Sequence, residues 1–154
     1  MTDAVDEDVD DAVDDAVDLA RRCAELMLAR DAASRSAEIT LTEVRPGSAA
    51  VAMTVTEAMV NGHGSCHGGY VFLLADTAFA MACNSRDEVT VAQDCDIVFI
   101  HPVQAGDRLR AQAAERVRYG RNGIYDVTVT RQDGDVVAEF RGRSRSLGTP
   151  LLPR

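Results

Sequence analysis

The sequence predicts an α+β fold in which one antiparallel β-sheet wraps around a buried central helix. Three observations lead to this prediction. Residues 68–83 read as a helix that is apolar nearly all round, and a helix without a polar face is normally buried. Two strand-like runs precede this helix and four follow it. The connections between the runs are short, which favours antiparallel pairing.

The elements follow in the order helix, two strands, buried helix, four strands. The first helix is predicted from Leu19 to Arg30, with Leu19, Cys23, Leu26 and Met27 on one face. From Ile39 the hydrophobic period changes to two, and strands are expected at about residues 39–41, 50–56, 89–100, 108–117, 124–130 and 136–143. Asp133-Gly134 predicts a tight turn between the last two strands. Wrapping one sheet around the apolar helix is the economical way to bury it.

The first 18 residues differ from the rest of the chain. They hold nine acidic residues and no basic residue, so they account for the whole formal net charge of −9. Valines at positions 5, 9, 13 and 17 recur every four residues and allow a weak amphipathic helix. The dense like charge favours a disordered tail instead. We therefore divide the chain into an acidic tail, residues 1–18, and a single domain, residues 19–154.

Composition argues against several classes of protein. The four cysteines form no CxxC pair, which is typical of reduced thiols in a cytoplasmic protein. The acidic N-terminus does not resemble a signal peptide. The apolar stretch from Tyr70 to Cys83 is too short to span a membrane and carries a charge. No stretch clusters arginines with aromatic residues, so we expect no nucleic-acid partner.

Asp76 is the first candidate for a catalytic residue. It is the only charged residue between Gly68 and Ser85, and its position in mid-helix excludes an N-cap role. An unpaired buried carboxylate costs several kcal/mol, so something must compensate. The structural alternatives are an ion pair with a core arginine and a position facing solvent at the helix edge. A functional carboxylate is the interpretation that we favour.

The second candidate is the glycine-rich segment that leads into the same helix. Its sequence is NGHGSCHGG, from Asn61 to Gly69. Glycines let the backbone approach a ligand closely. The first N–H groups of a helix lack intrahelical partners and lie at its positive end, so they suit a developing oxyanion. The alternative is an ordinary loop that merely starts a helix.

The spacing of the two candidates predicts a dimer. Gly68 and Asp76 are eight residues apart, which is about 12 Å of helix at ~1.5 Å per residue. One carbonyl group cannot touch both ends of that span. If both residues act on one substrate, they must come from different subunits.

Other interpretations of the loop are weaker. His63 and His67 flank Cys66, but no fourth zinc ligand is evident, so we expect no metal. Ser65 lacks the flanking glycines of a nucleophile elbow. Cys66 beside His67 can be read as a nucleophile pair, although a buried structural thiol is the simpler interpretation. His101 before Pro102 reads as a surface residue.

At these residues the chain resembles the PaaI-type phenylacetyl-CoA thioesterase family of hotdog enzymes. The resemblance covers about residues 37–146. It rests on NGHGSCHGG, on LADTAFAMACNS at residues 74–85, on Pro102 with GDRL at residues 106–109, on GIYDV at residues 123–127 and on FRGRS at residues 140–144. The first two motifs are specific to the family, and the hairpin motifs are not. The acidic tail has no counterpart in the resemblance.

The resemblance implies the hotdog fold, in dimers that pair into tetramers. It implies that Asp76 is the general base or the nucleophile and that the Gly68 amide is the oxyanion donor, with Asn61 and His67 nearby. It also implies an acyl-CoA substrate of the phenylacetyl or hydroxyphenylacetyl type, or a related medium-chain group, and no cofactor. These placements agree with those drawn from the residues for Asp76, Gly68 and the dimer.

The chemistry of a thioester fits these groups. A thiol has a pKa of ~8.5, so the thiolate leaves without a strong acid. Asp76 can activate water or attack directly, and sequence does not separate the two routes. The phosphates of coenzyme A favour arginine, and Arg121, Arg141 and Arg143 are candidates. An arginine at such a position is more often a plain surface residue.

One strand departs from the family pattern. Many relatives place small hydroxyl or amide residues where this chain carries Asp94 and Asp96, which alternate onto one face of the strand. They either face solvent or line the acyl pocket and alter substrate choice.

Two other functions fit the sequence less well. A hotdog hydratase or dehydratase pairs an acid with a histidine in a spacing that this chain lacks. A non-catalytic acyl-CoA binding module does not need a buried carboxylate such as Asp76.

Overall fold

The computed structural model describes the backbone of residues 3–154 and the side chains from residue 11 onward. The helices are α1 (Asp3–Arg30), α2 (Ala32–Ser36) and α3 (Gly68–Cys83). The strands are β1 (Thr40–Arg45), β2 (Ser48–Thr54), β3 (Thr90–Phe99), β4 (Arg108–Tyr119), β5 (Asn122–Arg131) and β6 (Val136–Ser146). A short 3-10 helix (Glu57–Met59) follows β2.

All six strands form one antiparallel sheet in the order β1-β2-β4-β5-β6-β3. Helix α3 packs against this sheet and contacts all six of its strands. The predicted α+β class and hotdog architecture are therefore confirmed. Strand β3 follows α3 in the chain and lies at the edge of the sheet beside β6, which leaves its other edge without a neighbouring strand.

The core is built around aromatic side chains of α3 and the central strands. Phe79 lies edge-on to Tyr125 with ring centroids 5.6 Å apart, and Phe140 stands between Phe79 and Phe72. A Cβ at Gly142 would lie 2.7 Å from the Phe79 ring. Only glycine lets β6 approach the helix this closely, so Gly142 fixes how tightly the sheet holds α3.

Asn84 ends helix α3 and ties it to β3. Its side-chain amide donates to the carbonyls of Ala80 and Thr90, and its carbonyl accepts from the Thr90 N–H. Asn84 is buried, so these bonds replace water for the last turn of the helix. The end of the helix and the start of the edge strand are thereby held as one unit.

The acidic segment is helical in the structure, which differs from the disordered tail that we predicted. Helix α1 begins at Asp3 and runs without a break across the predicted boundary at residue 19. No glycine or proline interrupts the segment, so its backbone can continue the docked helix. Ala20, Cys23 and Ala24 are the buried face of α1, whereas Val13 is exposed. The division into tail and domain therefore stays a prediction.

Candidate active site

The loop before α3 is held by Asn61. The Asn61 side-chain oxygen accepts from the N–H groups of His63 and Ser65, at 2.8 and 3.4 Å, and its backbone exchanges bonds with Ser65 and Gly64. The loop is also anchored outside itself, because the Cys66 N–H donates to the Val103 carbonyl at 2.7 Å. Asn61 thus fixes the conformation of the loop that leads into α3.

His67 is the N-cap of α3. Its Nδ1 accepts a hydrogen bond from the Gly69 N–H at 2.9 Å, so Nδ1 carries no proton and the ring is neutral in this arrangement. The Gly68 N–H belongs to the first residue of the helix and has no intrahelical acceptor. Within residues 3–154 we find no hydrogen bond that uses the Gly68 N–H.

A cavity of about 460 Å³ opens at this end of the helix. Its walls include Asn61, Gly68, Val71, Phe99 and His101. The Phe99 ring lies against Gly68, because a Cβ there would be 2.9 Å from the ring's Cζ. The cavity therefore brings the predicted oxyanion donor and Asn61 together beside an aromatic side chain from the edge strand.

Asp76 lies two turns further along α3 and is half-buried. Among the described residues it makes neither an ion pair nor a side-chain hydrogen bond. Burial raises the pKa of Asp76 above its usual range, and the nearby charge of Asp31 adds to the increase. The ion pair with a core arginine, one of the two structural alternatives to a functional carboxylate, is thus not found within the described part of one chain.

One chain holds two separate halves of the predicted site. Gly68 lines the cavity at the start of α3, whereas Asp76 is not among the residues of that cavity. The two residues lie on the same rigid helix, so no loop movement within the chain can bring them together.

Comparison with known proteins gives a second line of evidence on the family to which the chain belongs. The sequence profile of the Thioesterase superfamily matches residues 63–138. The acyl-coenzyme A thioesterase PaaI of Escherichia coli K12 is 46% identical over 125 residues, which cover 81% of this chain and 89% of that protein. The chain belongs to the thioesterase superfamily. It is a thioester hydrolase of the PaaI type, as the motifs predicted.

Solved structures agree with this assignment of the thioesterase. The PaaI protein from the phenylacetic acid degradation operon of E. coli superposes with a TM-score of 0.85 at 43% identity, over 87% of this chain and 97% of that one. A mutant of the phenylacetic acid degradation protein PaaI from Thermus thermophilus gives a TM-score of 0.73 at 35% identity. It covers 76% of this chain and 100% of its own.

The alternative nucleophiles of the thioesterase are poorly suited to attack. Cys66 is buried and burial raises the pKa of its thiol, which disfavours the reactive thiolate. The backbone of Ser65 is hydrogen-bonded to Asn61 within the turn of the loop.

No group of three or more metal-ligating side chains occurs among the residues that the structure describes. His101 is exposed, and its Nδ1 lies 2.9 Å from the Val136 carbonyl.

The three candidate arginines differ in their partners. Arg141 makes a bidentate pair with Asp126, and Arg143 bridges Asp94 and Asp96. Arg121 donates to the Leu147 carbonyl at 3.1 Å. A role of these arginines in coenzyme binding stays a prediction, and Arg121 is the most available of the three.

The two departures from the family pattern, Asp94 and Asp96, point into solvent. More than half of each side chain is exposed, and both carboxylates pair with Arg143. Cys95 and Ile97 alternate with them and pack against the core. The two aspartates therefore lie on the outer face of the sheet, away from α3, which favours the solvent-facing alternative of the two given above.

Sequence reasoning missed two features of the site. Phe99 was taken only as part of a strand, although its place three residues before Pro102, where the strand ends, marks it as the last inward-facing side chain. The buried hydroxyls of Ser34 and Thr77, 2.9 Å apart, link α2 to α3 next to Asp76. Because Ser34 and Thr77 are far apart in the sequence, no local sequence pattern indicated their contact.

No helix among the described residues is long and apolar enough to cross a membrane.

Proposed function

We propose that this thioesterase hydrolyses acyl-CoA thioesters, with the Asp76 carboxylate of one subunit and the Gly68 amide of another acting on the same carbonyl. The observation that carries the proposal is the state of Asp76. It is a half-buried carboxylate without a partner in the described chain, on a helix that is otherwise apolar. A purely structural role gives no reason for such a charge, because an apolar residue would stabilise the helix more.

The raised pKa of Asp76 suits it to accept a proton. A carboxylate in a poorly solvated place is a stronger base than one in water. As a general base, Asp76 takes a proton from water while the water oxygen bonds to the thioester carbon. The carbon–sulfur bond then breaks, and the proton is passed to the departing thiolate. In the alternative route the Asp76 carboxylate attacks the thioester carbon and the carbon–sulfur bond breaks, so that the thiolate leaves and a mixed anhydride forms; water then hydrolyses this anhydride, which releases the acid and regenerates Asp76.

The N-terminus of α3 supplies the complementary group. The developing oxyanion needs a fixed donor, and the unpaired Gly68 N–H at the positive end of the helix is such a donor. The His67 side chain accepts a hydrogen bond from the neighbouring Gly69 N–H. The amide of Gly68, a residue that lines the cavity, is thereby left for the substrate. Asn61 positions the loop and is one of the residues that line the same cavity.

A second copy of the chain is needed to complete this site. The end of edge strand β3 exposes two large apolar side chains, Val98 at 60% and Phe99 at 52% exposure, one on each face of the sheet. Such an edge normally pairs with another strand or is covered. The sheet also leaves Leu73, Asp76 and Ala80 of α3 only half-buried. Pairing two copies through β3 covers both surfaces and brings the helices side by side. We further propose that two such dimers form a tetramer.

The names of the relatives support a proposal for the substrate class. The similar E. coli protein PaaI is named an acyl-coenzyme A thioesterase. The PaaI protein of the solved E. coli structure is from the phenylacetic acid degradation operon. We propose phenylacetyl groups, ring-hydroxylated or not, with overlap into medium-chain acyl groups. Release of coenzyme A thiol is measured for phenylacetyl-, benzoyl-, hexanoyl- and acetyl-CoA. We expect the highest kcat/KM for phenylacetyl-CoA. A best rate with acetyl-CoA contradicts the aryl assignment, and no hydrolysis of any of them contradicts the function.

A mixing experiment tests the shared site. Asp76→Asn and Gly68→Pro each inactivate both sites of a homodimer, but a heterodimer of the two variants retains one site with both groups intact. Unfolding and refolding an equal mixture should therefore recover activity, about a quarter of wild type if subunits pair at random and each intact site works independently. Refolding each variant alone is the control. A mixture no more active than its components contradicts sharing between subunits.

A further inference from the structure

The turn between α1 and α2 places a second carboxylate, that of Asp31, beside the part of α3 that carries Asp76. Asp31 and Thr77 line one cavity between α1, α3 and the C-terminal segment, and Thr77 follows Asp76 directly in the helix. Both aspartates are half-buried, so water screens their mutual repulsion less than it does at the surface. Two acidic side chains of like charge therefore lie near each other in one chain.

A chain of three oxygen–oxygen contacts connects Asp31 to α3. One Asp31 carboxylate oxygen accepts from the Ser34 N–H at 2.9 Å, and the other lies within hydrogen-bond distance of the Ser34 hydroxyl. The Ser34 hydroxyl lies 2.9 Å from that of Thr77, and the Thr77 hydroxyl lies 2.8 Å from the Leu73 carbonyl. Ser34 and Thr77 are buried, so these groups depend on one another for their hydrogen bonds.

The number of protons in this chain determines the direction of its hydroxyl groups. A carboxylate can only accept, so the Ser34 O–H donates to an ionised Asp31. The contact between the two hydroxyls must then use the proton of Thr77, which is shared with the Leu73 carbonyl. The positive ends of both O–H dipoles are thus directed toward Asp31 and their oxygen ends toward α3. Two aligned dipoles thereby extend the negative potential of Asp31 to the residue next to Asp76.

We propose that Asp31 is a positioning residue of the thioesterase, which makes Asp76 a stronger base by placing a negative charge and two oriented hydroxyl groups beside it. The inference rests on the proposed function and adds a residue that acts through Asp76. A nearby negative charge disfavours the ionised form of a carboxyl group, so Asp76 holds a proton more strongly than burial alone provides. The pKa of Asp76 is raised in this sense, first by burial and then by the charge of Asp31.

Among the described residues, the other titratable groups around Asp76 do not provide this charge. Cys83 of α3 and Cys95 of β3 are influenced by Asp76, and the pKa values of their thiols are raised to about 12 and about 11, chiefly by burial. Both thiols are therefore uncharged near neutral pH. Arg30 of α1 lines the cavity but is exposed, so solvent screens its charge. The C-terminal segment contributes Leu151 to the cavity, which does not titrate.

Replacement of Asp31 by asparagine separates its charge from its hydrogen bonds. In Asp31→Asn the side-chain oxygen still caps α2, and the side-chain amide can donate to the Ser34 hydroxyl. Ser34 then donates to Thr77, and Thr77 to the Leu73 carbonyl, so every contact has a proton although the charge is gone. We expect Tm at pH 7 not to fall. The acid limb, the decrease of kcat/KM at low pH that reports the base of the free enzyme, should move to lower pH by about 0.5–1 pH unit.

Three further variants control for loss of structure and of charge. Asp31→Ser, a second uncharged N-cap, should move the acid limb in the same direction as Asp31→Asn. Ser34→Ala breaks the chain of contacts but keeps the Asp31 charge, so it should lower Tm and move the limb less. Glu25→Gln removes one negative charge at an exposed position of α1 and should leave the limb in place. An unchanged limb in Asp31→Asn, or an equal shift in Ser34→Ala or Glu25→Gln, overturns the inference.

A direct titration of Asp76 separates this inference from the proposed activity. The aspartate carboxyl carbons are labelled with ¹³C, and the Asp76 signal is identified by its absence in Asp76→Asn. The midpoint of its titration should lie at lower pH in Asp31→Asn than in the wild type. If the midpoint moves but no thioester is hydrolysed, the function is wrong and the effect of Asp31 on Asp76 stands. If thioesters are hydrolysed but the midpoint does not move, Asp31 does not have this role.

Discussion

The Nδ1 atom of His67 accepts the backbone N–H of Gly69 at 2.9 Å. This bond satisfies one of the free amides at the start of α3 and leaves the amide of Gly68 for a ligand. It also requires a neutral imidazole with its proton on Nε2. The N-cap thus decides which amide of the helix can serve the substrate.

Removing the Gly68 N–H should abolish most of the activity. In Gly68→Pro the donor is lost, yet proline is favoured in the first turn of a helix. The extended backbone of His67 suits the residue before a proline. Loss of one oxyanion donor lowers kcat by ~10²–10³-fold. Gly68→Ala is the matched control, because it adds the same Cβ against the Phe99 ring and keeps the N–H. Equal loss in both variants would point to a steric effect instead.

Asp76→Asn should lower kcat by ~10²-fold or more and leave KM nearly unchanged, because the amide keeps the shape but accepts no proton. Thiol release under saturating phenylacetyl-CoA measures this, with circular dichroism to verify folding. Asp96→Asn, on the outer face of the sheet, is the control and should retain wild-type turnover. A folded Asp76→Asn protein with normal turnover would remove Asp76 from the mechanism.

The same substitution should stabilise the protein at neutral pH. Burial, helped by Asp31, raises the pKa of Asp76 in the folded state above its unfolded value. The protonated carboxyl therefore favours folding below about pH 3.9, the unfolded value, and this contribution is lost as the pH rises through the folded pKa. We expect Asp76→Asn to show a higher Tm than wild type at pH 7 and a smaller difference below pH ~4. A lower Tm at pH 7 would show that the charge is compensated.

Arg121→Ala should raise KM for acyl-CoA by ~10-fold without changing kcat, because a charge-assisted bond to phosphate is worth about 1.5–3 kcal/mol. The effect should vanish with a thioester of N-acetylcysteamine, which lacks the nucleotide. Arg141→Ala and Arg143→Ala should change KM less, since carboxylates already occupy both side chains. A larger effect at Arg141 or Arg143 than at Arg121 would reverse this order.

Deleting residues 1–18 should leave both Tm and kcat/KM nearly unchanged in dilute solution. The buried face of α1 begins at Ala20, beyond the deletion, so few packing contacts are lost. Differential scanning fluorimetry and size-exclusion chromatography with light scattering report the two outcomes. A drop of more than a few degrees, or a smaller oligomer, would show that the acidic half of α1 is structural.

The sequence predicted the sheet and the buried helix because both rest on periodicity. Residues 68–83 lack a polar face, and the helix occupies the predicted range. The strands were located, but β1, β4, β5 and β6 end later than predicted and β2 and β3 end earlier. Strand β6 continues to Ser146 through alternating arginines whose side chains face solvent. Helix α2 was missed because five residues are too few to show a period.

The candidate site was predictable where a residue conflicts with its surroundings. Asp76 is a charge in an apolar helix, and the glycines before that helix break its pattern, so both are such conflicts. The structure places Asp76 within the helix and the glycines at its start, as predicted. The Ser34–Thr77 contact and the Phe99 ring over Gly68 bring together residues far apart in the chain. Local patterns carry no information on such pairs. Residues 3–18 are helical in the structure, and their sequence holds no helix breaker, although their dense like charge favours disorder.

The acidic half of α1 has a consequence for how the molecules behave toward one another in solution. It holds the entire formal net charge of −9, and without it the acidic and basic residues are equal in number. Proteins near zero net charge repel each other weakly and tend to precipitate. Because residues 11–15 are exposed, we expect the charge of this segment to supply the repulsion between molecules that keeps the enzyme soluble at high concentration, even where the segment adds nothing to folding or turnover.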